Sequence, residues 1–450
     1  MNALSIAQQI DSFLWGPPLI ILLVGTGIFL TIRLQLLQVF QLPMAFKLIF
    51  SAKNKGNGDV SSFKALCLAL AATVGTGNIV GVATAVQAGG PGAIFWMWMA
   101  AFFGMATKYS EGLLAIKYRT IDEKGQIAGG PMYYIERGMG HKWRPLAILF
   151  AASCILVAFF GIGTFPQVNA IVDSVHLSFG INKYITDAVI TILVAAITLG
   201  GIRSISRAAS AIVPFMAAFY VLISIVILII YADQIPAAVQ VIIHDAFTPT
   251  AATGGFLGAS VMMAMKNGIA RGVFSNESGL GSAPIAAAAA KTNWAGEQGL
   301  ISMTGTFIDT IIICTMTGLV LVLTGVWNGN AAGAAMTNNA FSSTLGVIGG
   351  NFLTIALALF AFTTILGWNY YGERACFYLF GMKSIITYRV IFIILVASGA
   401  FLKLDLIWVI ADIVNGIMAI PNLIALISLS GIIVAETKKY QSHLKSMNKK

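Results

Sequence analysis

Charge is what this 450-residue sequence has least of: 10% of its residues are Asp, Glu, Lys or Arg, against about 25% in soluble domains. That scarcity excludes an ordinary soluble enzyme or nucleic-acid binder, which would be left with large apolar patches in water. It also excludes a disordered chain, which is poor in apolar residues. Histidine is scarcer still. His141, His176, His244 and His443 fall outside or at the edges of the apolar runs, so no Ser–His pair or histidine–metal centre can be assembled at depth and no enzyme is expected. The four cysteines (Cys67, Cys154, Cys314, Cys376) lie in or beside apolar runs without a CxxC pair, which leaves neither a disulfide framework nor a zinc site. No Lys or Arg precedes Arg33. The basic start of a signal peptide is missing, and the first apolar run is expected to stay as a span.

What the chain has instead is apolar length. Apolar residues make up 58% of it, and the mean hydropathy is +0.86. A spanning helix needs about 20 mostly apolar residues. Runs of that kind occur near 12–32, 65–88, 92–116, 146–172, 183–202, 208–231, 254–290, 300–325, 352–372, 384–402 and 406–434, which predicts an all-α polytopic membrane protein with eleven transmembrane helices. With the N-terminus outside and the C-terminus inside, 22 of the 27 Lys and Arg fall in cytoplasmic loops or the basic tail at 435–450, as the positive-inside rule requires. The net charge of +10 is thus a topology signal that also attracts anionic membrane lipid; it predicts no nucleic-acid partner. The uncharged stretch at 326–351 is expected to form an outer lid or re-entrant segment.

Two spans carry unusual backbone. In the second, Thr73, Gly75, Thr76, Gly77, Asn78 and Gly81 fall within a dozen residues. Each Gly costs about 1 kcal/mol against Ala in a helix, and unwound backbone at that depth is tolerated only beside a cavity or inside protein. Two readings stand: a broken-helix binding site, or close packing through the Gly77/Gly81 GxxxG face. Five spans later, the stretch from Lys266 to Pro284 places three formal charges and four Gly in an apolar run. Its charges suit a wet cavity or a structural pair of Arg271 with Glu277. Broken segments in corresponding places of two halves point to a transporter site. Setting the first span aside, these open two five-helix halves, and an odd number inverts one half relative to the other.

The blocks Gly75–Ala83, Gly89–Trp98, Gly104–Glu111 and Arg271–Pro284 resemble the alanine/glycine:cation symporter family, and the likeness runs along nearly the whole chain. It implies a leucine-transporter-type 5+5 inverted repeat: an extra N-terminal helix at 12–32, then repeats at 65–231 and 254–434. It also implies symport of a small neutral amino acid with sodium across a bacterial plasma (inner) membrane, with no organic cofactor and no obligate protein partner. By that analogy the substrate carboxylate meets the amides of Gly75, Thr76 and Gly77 with Asn78 assisting, in a site that also takes in Ser275 and Asn276. Gln167 either hydrogen-bonds the substrate or satisfies a carbonyl freed by Pro166. Phe274 and Trp368 wall the substrate methyl group. Sodium is held by the carbonyls of Ala71 and Val74 with the hydroxyls of Thr363 and Thr364, oxygen ligands that suit a hard cation, although threonine also bonds its own helix. Lys108, Glu111 and Arg119 are an inner-gate network or snorkelling groups. Asp309 and Asp412 are ion ligands or, the favoured reading, acids bonded to neighbouring helices. Proton coupling is the nearest rival and a channel a further one, although no filter motif is present.

Overall fold

The computed structural model describes residues 3–51, 56–248, 260–401 and 405–447. It is almost wholly helical. Among the described residues the one sheet is a hairpin pairing Thr120–Ile121 with Ile127–Ala128, in the longest polar connection. Among the described residues six helices are long and apolar enough to cross a membrane: Leu4–Arg33, His141–Phe179, Gly201–Ile230, Ala295–Thr324, Gly333–Phe380 and Val409–Ser428. The pair Ser62–Thr73 and Gly77–Gly89, bent by 52°, makes a seventh when its two halves are counted as one span. Large side chains such as Ile192, Leu222, Ile229 and Ile386 remain more than 60% exposed on outer helix faces. In water that surface would drive association; against lipid tails it is at rest. The chain is a multi-pass integral membrane protein.

Both breaks follow from local chemistry. Ser61 caps the first half-helix by accepting from the Lys64 amide at 3.2 Å. That half-helix stops at Thr73, because Val74 turns to extended backbone (ψ 92). The second break separates Ser260–Asn276 from Ala283–Ala287; residues 254–259, the start of that predicted span, lie outside the described residues, as does Lys403. Gly279 and Gly281 take φ of 91 and 83 there, values open to glycine at little cost. Glu277 at φ 55 holds the same left-handed region without that freedom, a local strain. The breaks touch: a Cβ added at Gly77 would lie 3.1 Å from Ser275 Cα. Gly81 has open space at that position, so the glycines there form a bend and not a GxxxG seam. A third interruption at Gly161–Thr164 parts Arg144–Phe160 from Phe165–Phe179. Gly92–Lys117 lies along Ala295–Thr306 and Ser260–Asn276 and so braces the second break. Residues 333–345 form a helix that turns at Gly346 (φ 64, ψ −153) into the long helix ending at Phe380.

The tail at 435–450 begins as a docked helix, Ser430–Met447. Glu436 pairs with Lys117 at 2.6 Å, Tyr109 donates to Thr437 at 2.9 Å, and His443 stacks on Trp294 at 4.1 Å.

Candidate functional site

At the first break the polar groups are joined to one another. The Gly75 amide donates to Asn78 Oδ1 at 2.9 Å, and Asn78 Nδ2 donates to the Asp309 carboxylate at 2.7 Å. Ser275 and Thr310 hydroxyls donate to the other Asp309 oxygen at 3.0 and 2.7 Å. Asn276 donates to Thr310 at 3.0 Å and accepts from the Ser278 amide at 2.9 Å. Asn78, Ser275 and Asn276 therefore hold the two breaks against the Phe307–Cys314 helix, and Asp309 is an acid bonded to neighbouring helices. Of the three amides expected to face a carboxylate, that of Gly75 already has a partner. Those of Thr76 and Gly77 open the N-terminal, electropositive end of the second half-helix, where main-chain N–H groups have no partner within the helix they start.

Thr76 and Gly77 border a cavity of about 360 Å³, whose walls include Gly81, Pro166, Arg271, Phe274 and Asp412. Phe274 is thus one of the walls of this cavity. Trp368 is not: it is fully buried, and its indole N–H donates to Glu277 at 3.1 Å. Trp368 supports the strained residue of the second break. Gln167 Nε2 donates to Thr76 Oγ1 at 3.1 Å, while its buried Oε1 has no partner among the described residues. The amide leans on the first break and serves no carbonyl released by Pro166.

Of the groups expected to hold sodium, the Thr364 hydroxyl lies at the first break. The Val74 amide closes the first half-helix by donating to the Leu70 carbonyl, so the carbonyls that follow lie at its C-terminal end, where no helical turn supplies a donor. The Thr364 hydroxyl lies 2.4 Å from where a Cβ on Gly75 would sit. Thr363 and Thr364 each donate to the Phe360 carbonyl at 3.0 Å. That is the own-helix bond usual for threonine, and it leaves oxygen lone pairs free. Buried uncharged oxygens near an unwound carbonyl end fit a hard monovalent cation.

The remaining charges divide. Arg271 makes no pair with Glu277; its guanidinium lies 5.5 Å above the Phe274 ring. Lys108 and Glu111 do not pair with each other either. Lys108 donates to the Asn276 carbonyl at 2.8 Å, the end of a half-helix where a cation is favoured. Glu111 accepts from Asn422 at 2.6 Å and from the Gly279 amide at 3.1 Å. Arg119 is the surprise in detail. It donates to the carbonyls of Asn57, Ala288, Ala290 and Thr292 at 2.6–2.8 Å. Asp59 and Val60 amides donate to Ala289, and Lys291 returns a bond to Val60 at 2.8 Å. A strand-like bridge thus locks the ends of both broken helices on the side away from the 360 Å³ cavity. Arg119→Ala is expected to raise the labelling rate of Ala69→Cys by a membrane-impermeant thiol reagent at least about tenfold, since bonds to a charged group contribute about 1.5–3 kcal/mol each. Labelling in a background without other cysteines measures it.

Helices unwound at two touching points, beside a cavity bordered by Arg271 and Asp412, are the pattern of a secondary transporter. The chain is similar to the solved structure of MhsT in complex with L-phenylalanine, with TM-score 0.56 and 13% identity over 85% of this chain and 98% of that one. It shares the leucine-transporter-type fold. The sodium:alanine symporter family matches residues 1–450, and the chain belongs to that family. The sodium/alanine symporter AgcS of Methanococcus maripaludis is 51% identical over 98% of both chains. An uncharacterized transporter of Haemophilus influenzae is 60% identical over 99% of this chain and 98% of its own length. The chain is a sodium-coupled amino-acid symporter by family.

Proposed function

We propose that this chain imports a small neutral amino acid, alanine or glycine, together with sodium by alternating access. The observation that carries the reading is the pair of residues Thr76 and Gly77 on the wall of a cavity, at the positive end of a half-helix, beside Gln167, whose Oε1 has no partner among the described residues. A carboxylate there is stabilised by fixed dipoles without an arginine. The ammonium group meets Gln167 Oε1 and the second break. Phe274 limits side-chain size, since overfilling a rigid pocket costs about 1–3 kcal/mol. Sodium takes Ala71, Val74, Thr363 and Thr364. The span pattern extends to eleven crossings: an extra helix at 12–32 and inverted repeats at 65–231 and 254–434. The N-terminus is outside, so the Arg119 lock lies on the cytoplasmic face and the cavity opens outward.

Uptake of labelled alanine, glycine, serine and leucine into proteoliposomes, with and without a sodium gradient and at several pH values, tests this. Accumulation of alanine or glycine should collapse without sodium at every pH; accumulation driven by a pH gradient alone would favour proton coupling. Gln167→Ala is expected to raise the alanine KM about tenfold, because a hydrogen bond to a charged group is lost. Wild-type kinetics in that variant would remove Gln167 from the site.

A further inference from the structure

A second cavity of about 170 Å³ opens beside the first and shares Arg271, Phe274 and Asp412 with it. Its other walls come from the N-terminal helix Ala3–Leu14, through Asp11, and from Lys266 on the helix that carries Arg271. Two carboxylates and two cations therefore face one small space. Among the described residues no two of these four lie within 4.0 Å as an ion pair, although Arg271 is within electrostatic reach of both acids. Asp11 Oδ1 is buried and has no hydrogen-bond partner among the described residues. Trp15 fixes the rim by donating to the Asp412 carbonyl at 2.9 Å. Opposite charges this close in partly dry surroundings would ordinarily collapse onto one another. Held apart, they match a ligand that carries both signs itself.

We propose that this cavity is an outer subsite for a second small zwitterionic amino acid, its carboxylate on Arg271 and Lys266 and its ammonium on Asp11 and Asp412. The volume holds several water-sized groups, enough for the six non-hydrogen atoms of alanine. Phe274, common to both cavities, is the partition across which the outer molecule passes inward. The N-terminal helix thus contributes directly to substrate capture. This inference rests on the proposed symport of a small amino acid.

Equilibrium binding of radiolabelled alanine to the purified full-length chain tests it, with Asp11→Asn and Lys266→Gln as probes because neither residue borders the larger cavity. Wild type should bind two alanines per chain at saturation, one of them dependent on sodium. Each variant should bind one, still sodium-dependent, and should show an alanine uptake KM raised three- to tenfold with the maximal rate kept. Gln167→Ala should weaken binding of the sodium-dependent molecule about tenfold and leave the affinity of the other unchanged. A wild-type stoichiometry of one, or variants with unaltered stoichiometry and KM, overturns the subsite while leaving the central reading intact. A wild type that binds no alanine in sodium overturns both.

Discussion

Asn78→Ala should reduce sodium-driven alanine uptake by about two orders of magnitude at normal membrane expression. Asn78 does two things at once. It accepts from the Gly75 amide at 2.9 Å, which sets the bend, and donates to Asp309 at 2.7 Å, which ties the bend to the Phe307–Cys314 helix. Removing it leaves a buried amide and a buried carboxylate short of partners, at about 1–3 kcal/mol each, and each 1.4 kcal/mol is a factor of ten. Asn78→Asp should do worse, since it sets a like charge beside Asp309. Uptake in proteoliposomes, with folding checked by thermal unfolding, gives the answer. Retained uptake in Asn78→Ala would mean that the bend is held by other contacts.

Thr364→Ala should raise the sodium concentration for half-maximal uptake about tenfold, with the alanine KM at saturating sodium little altered. One oxygen is withdrawn from a set whose other members are main-chain carbonyls. Thr364→Ser should restore the wild-type value, because the hydroxyl and its bond to Phe360 remain possible. Gly75→Ala should mimic Thr364→Ala: the new methyl group would occupy the hydroxyl's place, 2.4 Å away, and turn it out of the site. A sodium titration of uptake for the three variants separates loss of an ion ligand from a general loss of packing, in which Thr364→Ser would fail as well.

The bends were legible in the sequence because their cause is local. Glycines among Thr and Asn in an apolar run weaken a helix wherever it folds. The partners of those groups were not legible. Asn78 meets Asp309, 231 positions on, and nothing in either neighbourhood names the other. Trp368 looked like a substrate wall because aromatic residues often are; its actual partner, Glu277, sits in a left-handed conformation that only the three-dimensional arrangement reveals. Arg119 stood out as a charge near a membrane edge, yet its partners are main-chain carbonyls, which carry no side-chain signature. The docking of the tail on Trp294 is likewise invisible to hydropathy, which records composition and not contact.

The bridge between residues 59–60 and 289–291 has a consequence for the timing of the cycle. Because each rod donates to the other there, neither can swing alone; passage to the opposite face requires a short zipper of main-chain bonds to part and re-form once per turnover. The amide protons of Val60 and Lys291 should accordingly exchange with deuterium faster while cargo is being carried than at rest, a clock for the working protein read from its own backbone.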